Sequence, residues 1–304
     1  MKRKLVKQGN NALTLTVPAE WIKKYGLSAG SEVEIDEQGT NLVLFSEKEY
    51  DIKTAKIDLT GLNKTLIFAY ITAAYRKGCD EIEIIFGKSE DIRAVQNVVD
   101  SSLGMAIMRQ SDKGCLIKDM TGSGDMDFDT VVRRIFLLLK NMAEDSLDAL
   151  KKKDKQILSN MLYQDMNVNK FANFCLRLLS KKGYKNFTDT NAMHYIISSL
   201  ENIGDEYTRL CMDFEDYEFT KEINKRNLKL FEHVNEFFDY FYKLYYKFDN
   251  DSALELLKRK DKISAMIDKQ MHTNDVYETK LLYHLSKIIH LVLDVAERKV
   301  MIEV

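Results

Sequence analysis

The chain has 304 residues, a formal net charge of −2, 45% apolar and 30% charged residues, and a single proline. A near-neutral total gives no global reason to expect a polyanion partner, and no stretch of 18 uncharged apolar residues exists to span a membrane. The length fits one to three domains, and the near-absence of proline favours long, unbroken helices.

Cys79, Cys115, Cys175 and Cys211 are too far apart for a CxxC zinc clip and lie among apolar neighbours. They read as small core residues in a reducing compartment. Lys2, Arg3 and Lys4 are followed by polar residues rather than an apolar run, so a cytoplasmic protein without a secretory leader is expected. Charge is uneven, however. Met1 to Lys24 holds six basic residues against Glu20 alone, a local patch that can hold phosphates or form an ordinary solvated rim.

From the N-terminus, "QGNN" is turn chemistry, with Gly9 and Asn10 suited to positive φ. Leu13, Leu15 and Val17 alternate with Thr14 and Thr16, which is strand periodicity. Pro18 stands at the strand end and suits the first turn of the short helix "AEWIKKYG". Val33 and Ile35 alternate again, and Leu42 to Phe45 make a fourth strand. Four short strands and one helical turn bury little on their own, so a second copy is expected to complete the core. Val17, Pro18, Trp21, Ile22 and Leu27 are its candidates.

These residues carry a resemblance. "KLVKQGNNALTLTVPAEWIKKYGLSAGSEVEI" followed by "NLVLF" resembles the AbrB/SpoVT/MazE-type swapped-hairpin domain, through V-P, the short helix and G-L-x-x-G-x-x-V. The resemblance implies a swapped-hairpin β-barrel over residues 1–48, built by an interleaved homodimer that grips double-stranded DNA through its first hairpin. Carried over by position, the DNA-binding residues are Arg3, Lys4, Lys7, Asn10 and Asn11. The first-hairpin arginine common in DNA-binding members has no counterpart, and Ser31 stands where the family often has Asp.

Residues 49–125 read as a small α/β element. "KTLIFAYITAAYRKGC" is helical, "EIEIIF" alternates as a strand, and "SEDIRAVQNVVDSSLG" is a second helix with Ser89 as its expected N-cap. "MAIMRQSDKGCLIKDM" reads as a hairpin turning at Asp112 to Gly114. The glycine-rich "TGSGD" at 121–125 lacks the Walker pattern and reads as a hinge.

From residue 126 the pattern is helical, in six segments: 127–152, 154–182, 188–214, 217–249, 251–272 and 275–302. Three plus three long helices predict two three-helix bundles, repeated over about 127–214 and 217–302. The repeat aligns Leu200 with Leu285 and Ile203 with Ile288. Glu201 and Asp205 are four apart on one helix face, and Asp165 and Asn169 keep that spacing on the preceding helix. On facing helices such pairs could clasp a cation with oxygen ligands, while the commoner meaning of charges four apart is a solvated acidic face. Gly204 lies between the two acids and suggests close approach by a neighbouring helix. In the aromatic run of residues 231–248, rings at helical spacing are core, with Tyr240, Tyr242 and Tyr246 left as candidates for a partner surface.

This half, with "NMAEDSLDALKKKD", "SSLENIGDEYTRLC" and the duplicated layout, resembles the PhoU phosphate-uptake regulators, whose helices carry an E(D)xxxD motif. The resemblance implies a divalent or iron-type metal ion at Asp165, Asn169, Glu201 and Asp205. In the second repeat Ser286 and His290 replace the Glu and Asp, and Ala265 partners Asp261, so the equivalent site is dismantled. The expected whole is multidomain and mainly α: swapped-hairpin domain, α/β element, paired helical bundles.

No nucleophile, base and orienting group fall into a catalytic set, so no enzyme is expected. The expected function is a phosphate-responsive, dimeric DNA-binding transcriptional regulator of phosphate uptake whose helical half senses through metal or a partner protein. The alternative is a PhoU-like adaptor that docks on a phosphate transporter ATPase or a signalling kinase without binding DNA. An antitoxin role ranks below both.

Overall fold

A computed structural model of the chain describes residues 2–9, 12–38, 40–46, 52–121, 127–219, 222–272 and 275–304. Asn10, Asn11 and most of the expected hinge, 122–125, lie outside the described residues. The chain forms two compact units, Met1–Ile52 and Lys53–Val304.

In the first unit, β1 (Val6–Gln8) pairs antiparallel with β2 (Ala12–Thr14), and β3 (Val33–Gln38) with β4 (Asn41–Ser46). The expected strand through Val17 stops at Thr14, because Thr14 faces Val6, the first residue of β1, and Leu15 to Pro18 have no strand opposite. Pro18 is the N-cap of α1 (Ala19–Lys24), and its carbonyl accepts from the Ile22 N–H at 3.1 Å. The two hairpins remain separate two-stranded sheets, so one copy does not close a barrel.

The second unit begins with a four-stranded sheet in the order β5-β6-β8-β7. Here β5 (Thr54–Asp58) runs parallel to β6 (Glu81–Ile85), and the hairpin β7 (Met105–Gln110) and β8 (Gly114–Asp119) is antiparallel. Strand β5, "TAKID", was not expected from the sequence: only Ile57 in it is buried, so its apolar alternation is faint. The helices α2 (Lys64–Arg76) and α3 (Asp91–Asp100) supply Ile67, Ile71, Tyr75, Val95, Val98 and Val99 to a core with Ile82, Ile84 and Ile117. Ser89 is not the cap of α3. Glu90 holds that position without a side-chain hydrogen bond, and Asp91 Oδ2 instead ties down the preceding loop, accepting the Gly87 and Lys88 N–H groups at 2.9 and 3.0 Å.

Six long helices follow: α4 (Phe128–Lys152), α5 (Lys155–Lys182), α6 (Thr190–Glu215), α7 (Lys225–Tyr246), α8 (Asn250–Gln270) and α9 (Val276–Glu303). Asp127, Asp154, Asn224, Asp249 and Asp275 cap five of them with side-chain acceptors. The fourth helix starts at Lys225 rather than 217. Phe219 adopts a left-handed backbone (φ 52°), and Asn224 both caps α7 and donates its N–H to Glu278 Oε1 at 2.6 Å. Leu200, Ile203, Leu285 and Ile288 are all fully buried, as the repeat requires. The α/β element and the bundles have separate hydrophobic cores yet belong to one unit, so the boundary near 125 divides cores rather than bodies. No helix among the described residues is long and apolar enough to cross a membrane.

Candidate functional site

Helix α5 presents a polar stripe at four-residue spacing: Asp165, Asn169, Asn173, Arg177 and Lys181. Side chains four apart share a helix face. The stripe has two ends with different work. At its C-terminal end Arg177, only 2% exposed, donates to the Tyr75 and Cys79 carbonyls at 3.0 and 2.7 Å and to Asp80 and Asp119 at 3.1 and 2.7 Å. Lys181 joins it at Asp80. These contacts bolt the α/β element to the bundle.

At the other end α5 faces α6. Asp165 is buried, and Asn169 Nδ2 donates to its Oδ2 at 2.8 Å. Asp165 Oδ1 and Asn169 Oδ1 are buried without a hydrogen-bond partner. Burial, with repulsion from Asp205 and Glu201, pushes the Asp165 carboxyl up to about 7. A Cβ on Gly204 would stand 3.2 Å from Leu139, 3.3 Å from Val168 and 3.4 Å from Asp165 Oδ1. The glycine therefore sets how closely α6 approaches α4 and α5.

Glu201 and Asp205 complete the group from α6, and each meets a guanidinium. Arg76 Nη2 lies 2.9 and 3.1 Å from the two Glu201 oxygens, and Arg76 Nε donates to the buried Asn173. Arg209 pairs with Asp205 and Glu206. Burial still raises the Glu201 carboxyl, against the pull of Arg76 and with a push from Asp205.

The two repeats meet at a second polar network. His284 Nδ1 lies 2.6 Å from Glu206 Oε1, and its Nε2 lies 2.9 Å from Asp213 Oδ2. A carboxylate thus stands at each nitrogen of the ring. Lys287 adds a 2.7 Å contact to Glu206, which is fully buried. Burial opposes the Glu206 charge, but the hydrogen bonds from His284 and Lys287 prevail and hold the carboxyl down at about 2. His284 is a buried histidine with a partner at each ring nitrogen.

In the first unit, Arg3, Lys4 and Lys7 are exposed. Val17, Pro18, Trp21, Ile22 and Leu27 are half-buried, and the Trp21 and Tyr25 rings pack with centroids 5.2 Å apart. No described residue of this unit is fully buried, while Leu13, Leu15, Ile35 and Leu42 are at least half exposed.

Two family models match the chain. Residues 6–51 match MazE, described as "Antidote-toxin recognition MazE, bacterial antitoxin", and residues 132–214 match the PhoU domain. The chain joins a MazE-type segment to a PhoU domain. Among solved structures, the phosphate transport system regulatory protein PhoU from Streptococcus pneumoniae shares the fold at 14% identity. Its TM-score is 0.51, over 58% of this chain and 93% of that one. No curated protein matches.

In the PhoU domain, the structure brings together the four residues expected to hold metal, Asp165, Asn169, Glu201 and Asp205. It also gives both Glu201 oxygens to Arg76 and engages Asp205 with Arg209. With the guanidinium groups in place, these side chains do not fit a divalent cation. Among the described residues no group of three or more His, Cys, Asp or Glu side chains is arranged as a metal site. The second repeat assembles nothing comparable: Asp261 is exposed beside Lys260, and the exposed His290 bonds to the Ser286 carbonyl at 2.7 Å. Sequence reasoning missed Arg76, Asn173, Arg177 and Lys181. The last three were visible as a continuation of the 165–169 spacing. Arg76 was not, because only the docking of α2 on α5 brings it near Glu201.

Tyr240, Tyr242 and Tyr246, the candidate partner surface, are covered in part by cations of this chain. Arg259, Lys140 and Arg133 lie 4.1, 5.1 and 4.7 Å from their ring centroids.

Proposed function

We propose that the chain is a dimeric, phosphate-responsive regulator without catalytic activity. Its first unit pairs with a second copy and holds double-stranded DNA through Arg3, Lys4 and Lys7. Its PhoU domain relays phosphate status through a partner protein of the phosphate transport system. The carrying observation is the uncovered first unit, whose exposed leucines and isoleucine need a partner surface and whose exposed cations suit phosphates. The solved PhoU, named as a regulatory protein of phosphate transport, supports the assignment of the second unit.

The test is DNA binding by the full chain across a salt titration, using the DNA upstream of its own gene. Sequence-preferring binding with a steep salt slope, lost in the variant carrying R3Q, K4Q and K7Q, is the expected result. Binding that the triple substitution leaves intact would refute the assignment of these residues. The missing first-hairpin arginine favours a second reading, in which the first unit only dimerises and the helices dock on a transporter ATPase or kinase. A dimer without sequence-preferring DNA binding would select it.

A further inference from the structure

At the end of the bundle where α4 and α6 begin and α7 and α9 finish lies a cleft of about 430 Å³. Tyr184, Tyr245 and Tyr246 line it, together with two cations, Arg133 and Lys299. Asp129 and Arg133 stand four apart on α4, the spacing at which opposite charges pair along a helix. Here Asp129 is taken instead by Lys185 and by the Tyr184 hydroxyl, which donates to it at 3.3 Å. The Arg133 guanidinium is left over the Tyr246 ring, 4.7 Å from its centroid, with no carboxylate among the described residues as its ion-pair partner.

Two more donors in the cleft are short of acceptors. The Lys299 ammonium lies 5.0 Å from the Tyr245 centroid, and its one acid is Glu303, a turn further along α9. The Tyr245 hydroxyl is buried, and its hydrogen-bond acceptor is the Met193 sulfur at 3.9 Å. A thioether accepts weakly, and a buried phenol ordinarily finds a better partner. Burial pushes the pKa of Tyr245 up, so the hydroxyl remains a donor. A guanidinium, an ammonium and a phenol thus stand among aromatic rings, an arrangement that suits a ligand with an anionic end and a flat ring. Asp127 and Asp129 also line the cleft, and carboxylates with several lone pairs each can accept from the hydroxyls of a sugar.

We propose that this cleft binds a nucleoside monophosphate, with its phosphate at Arg133, Lys299 and the Tyr245 hydroxyl, its base against the tyrosine rings and its ribose hydroxyls on Asp127 and Asp129. A bare oxyanion leaves the rings unused, and an uncharged ring leaves Arg133 without a counter-charge. The walls come from both repeats, α4 and α6 from the first and α7 and α9 from the second, so an occupant ties the two together at this end. The inference stands whether or not the first unit binds DNA.

Isothermal titration calorimetry of the full chain with AMP, GMP, CMP and UMP tests it, with the matching nucleosides and inorganic phosphate as controls. At least one monophosphate should bind saturably at one site per chain. Its nucleoside and inorganic phosphate should each bind about tenfold or more weakly, since each lacks one half of the contacts. Arg133→Gln, at an exposed position, should weaken binding about tenfold or more while thermal unfolding stays near wild type. Tyr245→Phe keeps the ring, removes the donor and should weaken binding as well. No saturable binding of any of the four, binding that R133Q and Y245F both leave intact, or inorganic phosphate held as tightly as the nucleotides would overturn the proposal. Should R133Q fail to fold, Lys299→Gln takes its place with the same two readings.

Discussion

Arg177 offers the sharpest test of how the α/β element is held. Replacing it with Met keeps much of the length and removes the charge. Four bonds are lost: two to the Tyr75 and Cys79 carbonyls and two to Asp80 and Asp119. The stacking of the guanidinium on Tyr75, 5.0 Å from its centroid, goes with them. The consequences for the two acids differ. Asp80 keeps Lys181 and the Lys53 N–H, whereas Asp119, with a side chain only 9% exposed, keeps only Thr121. Removing one member of a buried pair costs about 3–5 kcal/mol. Because one of the two acids stays compensated, the lower end, about 3 kcal/mol, is expected. The only tryptophan, Trp21, lies in the other unit, so its fluorescence does not report this interface. Hydrogen exchange does. Arg177→Met should lower protection in β5, β6, β8 and α2, with α4 and α6 to α9 nearly unchanged. Asp119→Asn in the same background should recover part of the loss, since it removes the stranded charge. A loss below about 1 kcal/mol, or one spread evenly over the bundle, would refute the view of Arg177 as a bolt.

Four further outcomes can be measured. The folded structure holds the Glu206 carboxyl down at about 2, against an ordinary glutamate value of 4.5 when unfolded, so its contribution is complete above pH 4.5 and is lost as pH falls through about 2. A span of that size is worth about 3 kcal/mol; urea midpoints from pH 6 to pH 2 should show it, and Glu206→Gln should flatten the acid limb. His284→Leu leaves Glu206 and Asp213 each short of a donor, and should destabilise by about 2–4 kcal/mol at neutral pH in chemical denaturation. Gly204→Val drives two γ carbons toward Leu139, Val168 and Asp165, and a loss of about 2 kcal/mol or more in thermal or urea unfolding is expected. Leu13→Asp should shift the first unit's chain from dimer to monomer in light scattering if the exposed leucine faces a second copy.

Much of the architecture was legible because its signals are local. The helices declare themselves by apolar spacing and by capping residues such as Asp127, Asp154 and Asp275, and all but α7 begin within about three residues of expectation. The start of α7 was misplaced because residues 217–219 look helical in composition, while the left-handed Phe219 and the Asn224–Glu278 contact depend on tertiary structure. Strand β5 was missed for a similar reason: its identity comes from pairing with β6, not from its own alternation. At the site, the acids were readable because they recur every four residues on single helices. Their partners were not. Arg76 lies 125 positions from Glu201, and nothing in a linear pattern links a helix-end arginine to a carboxylate in another layer. Reading acids without their counter-ions is what made the cleft look like a metal centre.

The stripe on α5 has a consequence for how this chain can change over time. Asp165 and Asn169 face α6, whereas Asn173, Arg177 and Lys181 face the α/β element, and all five hold their places through one helical period. Deleting a single residue between Asn169 and Asn173 would turn everything beyond it by about 100°. Arg177 would swing away from Asp119 while Asp165 stayed where it was, so the two contacts could not both survive. Substitutions along α5 can be absorbed one at a time, but its length cannot drift by single residues. Insertions near a whole number of turns, such as seven residues, would restore the phase, but at about 1.5 Å of rise per residue they would still carry Arg177 roughly 10 Å along the axis. Helix α5 is in that sense a ruler, and its residue count is a constraint as firm as the identity of any residue on it.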